Sequence, residues 1–270
     1  MAKEPIQILL TNDDGIQSPG LWAAAEALST LGFVHVAAPS DQFSGAGRSL
    51  PSHSSGIISP QQVSVHDKEW TVYGVGGTPA QAVLHAVLEI LPTRPKLVVS
   101  GINYGENVGT GITVSGTVGA ALEAASMGIP ALAVSLETDP SHHLSYSTEV
   151  DFSAAAYFTA YFGKMLLGQH LPEDVDVIKV DIPSSATRET LWEVTRLSKA
   201  PYYEPVPPQR KSWEMPGKMG YRLSGKLNRD ATDTDAFAVL VKRVVSVTPL
   251  SLDMTSRVDL GELEKQLRGK

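Results

Sequence analysis

Several clusters of oxygen-bearing residues along the chain have the types and spacing that chemistry requires. The first is NDDG, where Asp13 and Asp14 stand side by side ahead of Gly15. Neighbouring carboxylates repel each other and cost desolvation unless a cation lies between them or water reaches both. Ser40, Asp41 and Ser44 form a second cluster, and Ser100, Asn103 and Asn107 a third. Carboxylates, hydroxyls and side-chain amides suit hard cations such as Mg²⁺ or Mn²⁺, which keep several waters for a substrate to replace. Gly15 would let the backbone turn tightly beneath such a site. The competing reading of NDDG is an Asx turn at a strand end, with both carboxylates in solvent.

Ser115, Gly116 and Thr117 add a feature for a substrate. They stand just before a helical stretch, where free N–H groups and the helix dipole attract an anion, although Ser115 or Thr117 could equally be a simple N-cap. A metal loop beside a phosphate cradle points to phosphoryl hydrolysis, in which the ion polarises the ester and holds a water. There is no GxSxG elbow and no Walker A sequence, and the histidines form no HExxH pattern. GVGGTPA (Gly74–Ala80) reads as a tight turn and helix start rather than a dinucleotide fingerprint. His142-His143 reads as a solvated loop pair and His85 as a core or surface residue. Tyr104, between Asn103 and Asn107, is open to two readings, a base-stacking ring or a structural one.

These clusters must be held by the elements between them. Pro5–Thr11 is an apolar run of strand length, Ser18-Pro19 opens a helix with Leu21, Ala25 and Leu28 on one face, and Phe33–Pro39 is a second strand: a βαβ unit. The alternation repeats with strands at Trp70–Val75 and Lys96–Ser100, a helix from Thr78-Pro79 to about Leu91, a helix over Thr117–Met127 and a strand in PALAVSL. A helix over Phe152–Leu167 and a strand over Val175–Pro183 follow. Gly111–Val134 is long enough to span a bilayer, but its Gly, Ser and Thr content and Glu123 favour a helix followed by a buried strand. The expected fold is a Rossmann-like three-layer α/β/α core with a mainly parallel sheet over residues 1–190. Residues 191–270 are expected to form an antiparallel hairpin and helix arm, with AFAVLVKRVVSVTPL strand-like and ELEKQLRGK helical. In such sheets ligands bind beyond the carboxyl ends of the strands, where all the oxygen clusters fall.

The 270 residues suffice for a sizeable core, and a net charge of −7 argues against a general binder of polymeric nucleic acid. The absence of cysteine excludes a thiol nucleophile and thiolate metal ligation and fits a reducing cytosol. MAKEPIQILL carries too short an apolar stretch for a signal peptide, and no membrane segment is expected.

ILLTNDDGIQSPG, APSDQFSGAGRSL, GGTPAQAV, VVSGINYGENVG, SGTVGAALEA and TDTDAFAV…VSVTPLSLDMT, in this order, resemble the SurE family of stationary-phase survival proteins, metal-dependent 5'-nucleotidases. The resemblance implies that Asp13, Asp14, Ser44 and Asn103 hold one divalent ion per subunit, Mg²⁺ or Mn²⁺. It also implies that Asn107, Ser115, Gly116 and Thr117 contact phosphate, with Asp13, Asp14 and Asn107 as the catalytic set. A nucleoside monophosphate substrate, activity of some members on 3'-nucleotides or polyphosphate, a cytoplasmic location and a homodimer or homotetramer exchanging C-terminal elements follow from the same resemblance. The chain departs from the family's usual pattern at Lys179-Val180-Asp181, where an Asn-rich strand end is common, and at Gln81, where aspartate is common. The alternatives to a phosphomonoesterase are a receiver-like domain and a non-catalytic nucleotide- or phosphate-binding protein. Ser100-Gly101 at the central strand end weighs against the receiver, which needs a phosphoacceptor aspartate there.

Overall fold

The computed structural model of the chain describes residues 5–65, 68–143, 146–224 and 231–269. The first four residues of the N-terminal segment, residues 225–230 of the expected arm and Lys270 of its terminal helix lie outside them. In chain order the elements are β1 (Gln7–Thr11), α1 (Pro19–Leu28), β2 (Phe33–Pro39), β3 (Ile58–Val65), β4 (Lys68–Val75), α2 (Pro79–His85) and β5 (Leu97–Tyr104). Then come α3 (Gly116–Ser126), β6 (Ala131–Leu136), α4 (Ser153–Gly168), β7 (Val177–Ile182), β8 (Trp192–Val194), β9 (Tyr203–Val206) and β10 (Gly220–Leu223). The chain closes with α5 (Asp235–Phe237), β11 (Val245–Leu250) and α6 (Leu260–Leu267).

Nine strands form one sheet in the order β3-β4-β2-β1-β5-β6-β7-β11-β8, and β9 and β10 pair separately as an antiparallel hairpin. From β4 to β7 all neighbours are parallel, whereas β3 and β11 run antiparallel to β4 and β7. The central strands are covered on both faces, which is why they read as unbroken apolar runs. Ile8 and Leu10 of β1 pack with Leu21 and Leu28 of α1 and Phe158 and Phe162 of α4, while the intervening Leu9 packs with Val83 of α2 and Val118 and Ala121 of α3. This is the three-layer α/β/α fold expected, with a mainly parallel sheet.

From β1 the chain moves outward through β2 and β4, then returns to place β5 on the other side of β1, with Thr11 beside Ser100. The order reverses between β1 and β5, so their carboxyl ends flank the crevice in which doubly wound sheets bind ligands.

Several details depart from expectation. β3 was not foreseen: ISPQQVSV is polar and contains Pro60, a composition tolerated in an edge strand. β5 continues beyond Ser100 to Tyr104, with a register shift between Ser100 and Asn103. Helix α2 ends at His85 and continues in a wider π-type turn over Ala86–Ile90. AFAVLVKRVVSVTPL is not one strand, because α5 and a π-type turn over Ala238–Lys242 precede β11. β8 and β11 lie beyond residue 190 yet belong to the main sheet, while the β9–β10 hairpin stands outside it. Thr78 and Gln81 form the capping box that starts α2, so Gln81 serves the backbone of its own helix. Ser18 has N-cap backbone geometry but its side chain makes no cap bond. Among the described residues no helix is long and apolar enough to cross a membrane.

Candidate active site

At the end of β1, Asn12 makes the Asx-type turn. Its side chain accepts from Gly15 N at 3.2 Å and donates to Gly15 O at 3.0 Å, and Gly15 adopts φ +97°. The turn tucks the next two side chains inward: Asp13 is 5% exposed and Asp14 2%. The solvated-pair reading therefore does not hold.

Asp13 meets the start of α3. Its Oδ1 accepts the Thr117 hydroxyl at 2.5 Å, and its backbone carbonyl accepts Phe43 N at 2.8 Å. A Cβ on Gly116 would lie 2.6 Å from Asp13 Cβ and 2.8 Å from Oδ2, so only glycine lets the helix approach this closely. Ser115 takes the N-cap role, accepting Val118 N at 3.1 Å. Asp14 meets β5 and the loop after β2: Oδ2 accepts Tyr104 N at 3.2 Å and Oδ1 accepts the Gln42 amide at 3.0 Å. Burial pushes both carboxyls above their usual pKa. For Asp14 burial and then the charge of Asp13 push it up to about 8.

The other expected residues fall around this pair in different ways. Asn103 adjoins the peptide that donates to Asp14, and its amide nitrogen is engaged by Gly105 O at 2.6 Å, which leaves its side-chain oxygen for a ligand. Ser44 is exposed and follows Phe43, whose N–H is fixed on Asp13. Asn107 is turned toward the sheet edge, its amide donating to Ser135 Oγ at 2.9 Å and its backbone N–H to Asp181 Oδ1 at 2.7 Å. Tyr104 is no stacking platform: it is 4% exposed, lies edge-on to Phe152 at 4.9 Å and donates its hydroxyl to Ser147 O. His143 is buried, contrary to the solvated pair expected, with Nδ1 3.0 Å from the Tyr221 hydroxyl.

Could these residues hold a divalent ion? Among the described residues no three His, Cys, Asp or Glu side chains gather into a metal-holding group. The donor set is instead two carboxylates, with Ser44 and Asn103 each next in sequence to a residue whose backbone N–H is bonded to one of the aspartates. Burial raises the pKa of both carboxyls, and the charge of Asp13 adds to the rise at Asp14, an electrostatic cost that a bound cation would relieve. Adjacent buried oxygen donors fit a hard divalent cation.

Sequence reasoning missed Gln42, which joins Asp14 to the backbone carbonyl of His143 at 2.6 Å, and Tyr146, whose hydroxyl lies 2.9 Å from where a Gly15 Cβ would stand. It also missed the buried group Lys179, Asp181 and Asp235 behind Asn107. Only the unusual KVD within an apolar strand signalled it.

Comparison with known proteins gives the family. The family model described as Survival protein SurE matches residues 8–204. The protein named 5'-nucleotidase SurE from Thermococcus gammatolerans is 44% identical over 266 residues, spanning 98% of this chain and 97% of its own. The 5'-nucleotidase SurE of Thermococcus kodakarensis is 41% identical, over 97% and 98% of the two chains. The crystal structure of the SurE protein from Aquifex aeolicus superposes with a TM-score of 0.72 at 33% identity, covering 97% of this chain and 99% of that one. An acidic pair at the β1–β5 crevice, a glycine-opened helix packed on it and full-length similarity to these proteins place the chain in the SurE family.

Proposed function

We propose that this chain is a divalent-metal-dependent phosphomonoesterase that hydrolyses nucleoside 5'-monophosphates to nucleoside and phosphate. The observation that carries the reading is the buried Asp13–Asp14 pair, with Asp13 against the start of α3, in a chain whose curated relatives are named 5'-nucleotidase. Asp13 and Asp14, with Ser44 and Asn103, hold one Mg²⁺ or Mn²⁺ per subunit. When bound, the ion supplies Lewis-acid polarisation of the phosphoester and a water of lowered pKa.

The chain's own residues do the rest. Thr117 fixes one rotamer of Asp13 through its hydroxyl, while Gln42 and Tyr104 N–H fix Asp14. Ser115, Gly116 and Thr117 offer the positive end of α3 to the phosphate. Asn107, anchored through its backbone, orients the phosphate oxygens. Action on 3'-nucleotides and polyphosphate belongs to the same reading, since recognition rests on phosphate and metal. So do a cytoplasmic location and a homodimer or homotetramer assembled through the C-terminal arm. Exposed apolar side chains on that arm, Trp213 at 88% and Met219 at 67% among them, support the assembly.

Phosphate release from a panel of nucleoside monophosphates, 3'-nucleotides and polyphosphate, with EDTA and with Mg²⁺ or Mn²⁺ restored, tests the proposal. Metal-dependent release supports it. Metal-independent binding without release would make the chain a non-catalytic nucleotide-binding protein instead.

A further inference from the structure

Behind the crevice, three charged side chains are sealed from solvent. Lys179 and Asp181 on β7 and Asp235 on α5 are each 0% exposed. Residues two apart on a strand share a face, so Lys179 and Asp181 point the same way. The Lys179 ammonium pairs with Asp181 Oδ2 and lies 3.3 Å from Asp235 Oδ2. Burial opposes its charge, but the two carboxylates more than offset that and raise its pKa above the usual value.

Buried ion pairs rarely add stability over apolar packing, so a buried Lys between two Asp asks for another use. The remaining lone pairs of the carboxylates show one. Asp181 Oδ1 accepts Asn107 N at 2.7 Å, and Asp235 Oδ2 accepts Gly109 N at 2.8 Å. Asp235 Oδ1 also accepts Ser198 N at 2.9 Å. Two alternate amides of the loop after β5 are therefore gripped by two carboxylates that share one ammonium. Asn107 is held a second time, by its amide on Ser135, the β6 partner of Asp181 in the sheet register.

We infer that Asp181, braced by Lys179, is a positioning residue: it fixes the backbone of Asn107 so that the phosphate-binding loop after β5 is set before substrate arrives. This rests on the proposed nucleotidase reading and on Asn107's place in it. It also gives the unusual Lys179-Val180-Asp181 strand end a use. A loop set in advance spares ordering entropy on binding, and a displacement of about 1 Å at such a loop costs on the order of a hundredfold in rate.

The test compares Asp181→Asn, which keeps an acceptor for Asn107 N, with Asp181→Leu, which does not. Each is made alone and with Asn107→Ala, and phosphate release is measured with the metal that supports the wild type. Asp181→Asn should stay within about threefold of wild-type kcat/KM, and Asp181→Leu should fall by roughly tenfold or more. That fall should vanish in the Asn107→Ala background, because a residue acting through another has nothing left to position. Equal losses in both backgrounds, or equal losses for Asn and Leu, would overturn the inference and leave Asp181 merely structural. Should Asp181→Leu fail to fold, Lys179→Met/Asp181→Leu/Asp235→Asn removes all three buried charges and is read by the same cycle. A wild type that releases no phosphate defeats the functional reading itself, an outcome separate from any pattern among the variants.

Discussion

Thr117, in the first turn of α3, donates its hydroxyl to Asp13 Oδ1 at 2.5 Å across 104 residues of sequence, with both side chains buried. Thr117→Val keeps the shape and removes the donor, leaving a buried carboxylate oxygen without its hydrogen bond. A loss of roughly 1–3 kcal/mol of stability is expected, with a drop of at least tenfold in phosphate release. Thr117→Ser, which keeps the hydroxyl, should recover most of both. Thermal melts and initial rates on the three proteins check this.

Gly116→Ala tests the close approach of the helix. The added methyl would overlap Asp13, so either the helix start or the carboxylate must move. The fold should survive, because α3 is otherwise packed along Val118, Ala121 and Ala125. Activity should fall about a hundredfold or more, by the sensitivity of catalysis to displacement. Near-wild-type turnover with an unchanged melting temperature would show that the contact is dispensable.

The acidic pair links metal, stability and pH. Asp14 titrates near 8 when folded, against 3.8 for the free side chain, because of burial and then Asp13. A carboxyl whose folded pKa is raised stabilises fully below its unfolded pKa, and that contribution is lost as pH rises through the folded one. The metal-free protein should therefore lose stability between about pH 4 and pH 8, and the stabilisation gained on adding Mn²⁺ should grow over the same window. Asp14→Asn should flatten the metal-free profile, abolish phosphate release and leave the fold intact. Melts of EDTA-treated protein across pH decide it, and full turnover by Asp14→Asn would sink the metal reading.

Gln42 is placed to support the metal site. Its amide spans Asp14 and the carbonyl of His143, so Gln42→Leu leaves Asp14 held by Tyr104 N–H alone. An affinity loss of about 10- to 100-fold for the divalent ion is the usual scale for such supports. Titration calorimetry with Mn²⁺ measures it. An unchanged affinity would assign Gln42 to the loop alone.

What was legible in the sequence follows from the range of the interactions. Strands β1, β2, β5, β6 and β7 announced themselves as apolar runs because both faces are covered, and α1 and α3 as periodic stretches bounded by Pro and Gly. The Asp13–Asp14 pair was equally local, since adjacent carboxylates after a buried strand are conspicuous in any chain. β3 was hidden by its polar edge composition, and the segment after Asp235 by β-branched residues that here fill a helical turn before β11. The clamp on Asn107 was beyond reach for another reason. Asp181 lies 74 residues from Asn107 and Lys179 lies 56 from Asp235, and nothing in KVDIP names the amide that Asp181 will take.

The margins of the sheet carry a last consequence. On one side stands β3, polar and interrupted by Pro60; on the other, β8 is three residues long and covers only the first part of β11, beyond which Pro249 offers no N–H. Neither border can template an incoming strand along its length. Edge-to-edge growth of the nine-stranded sheet is thereby disfavoured, which guards a chain of this β content against fibrous self-stacking.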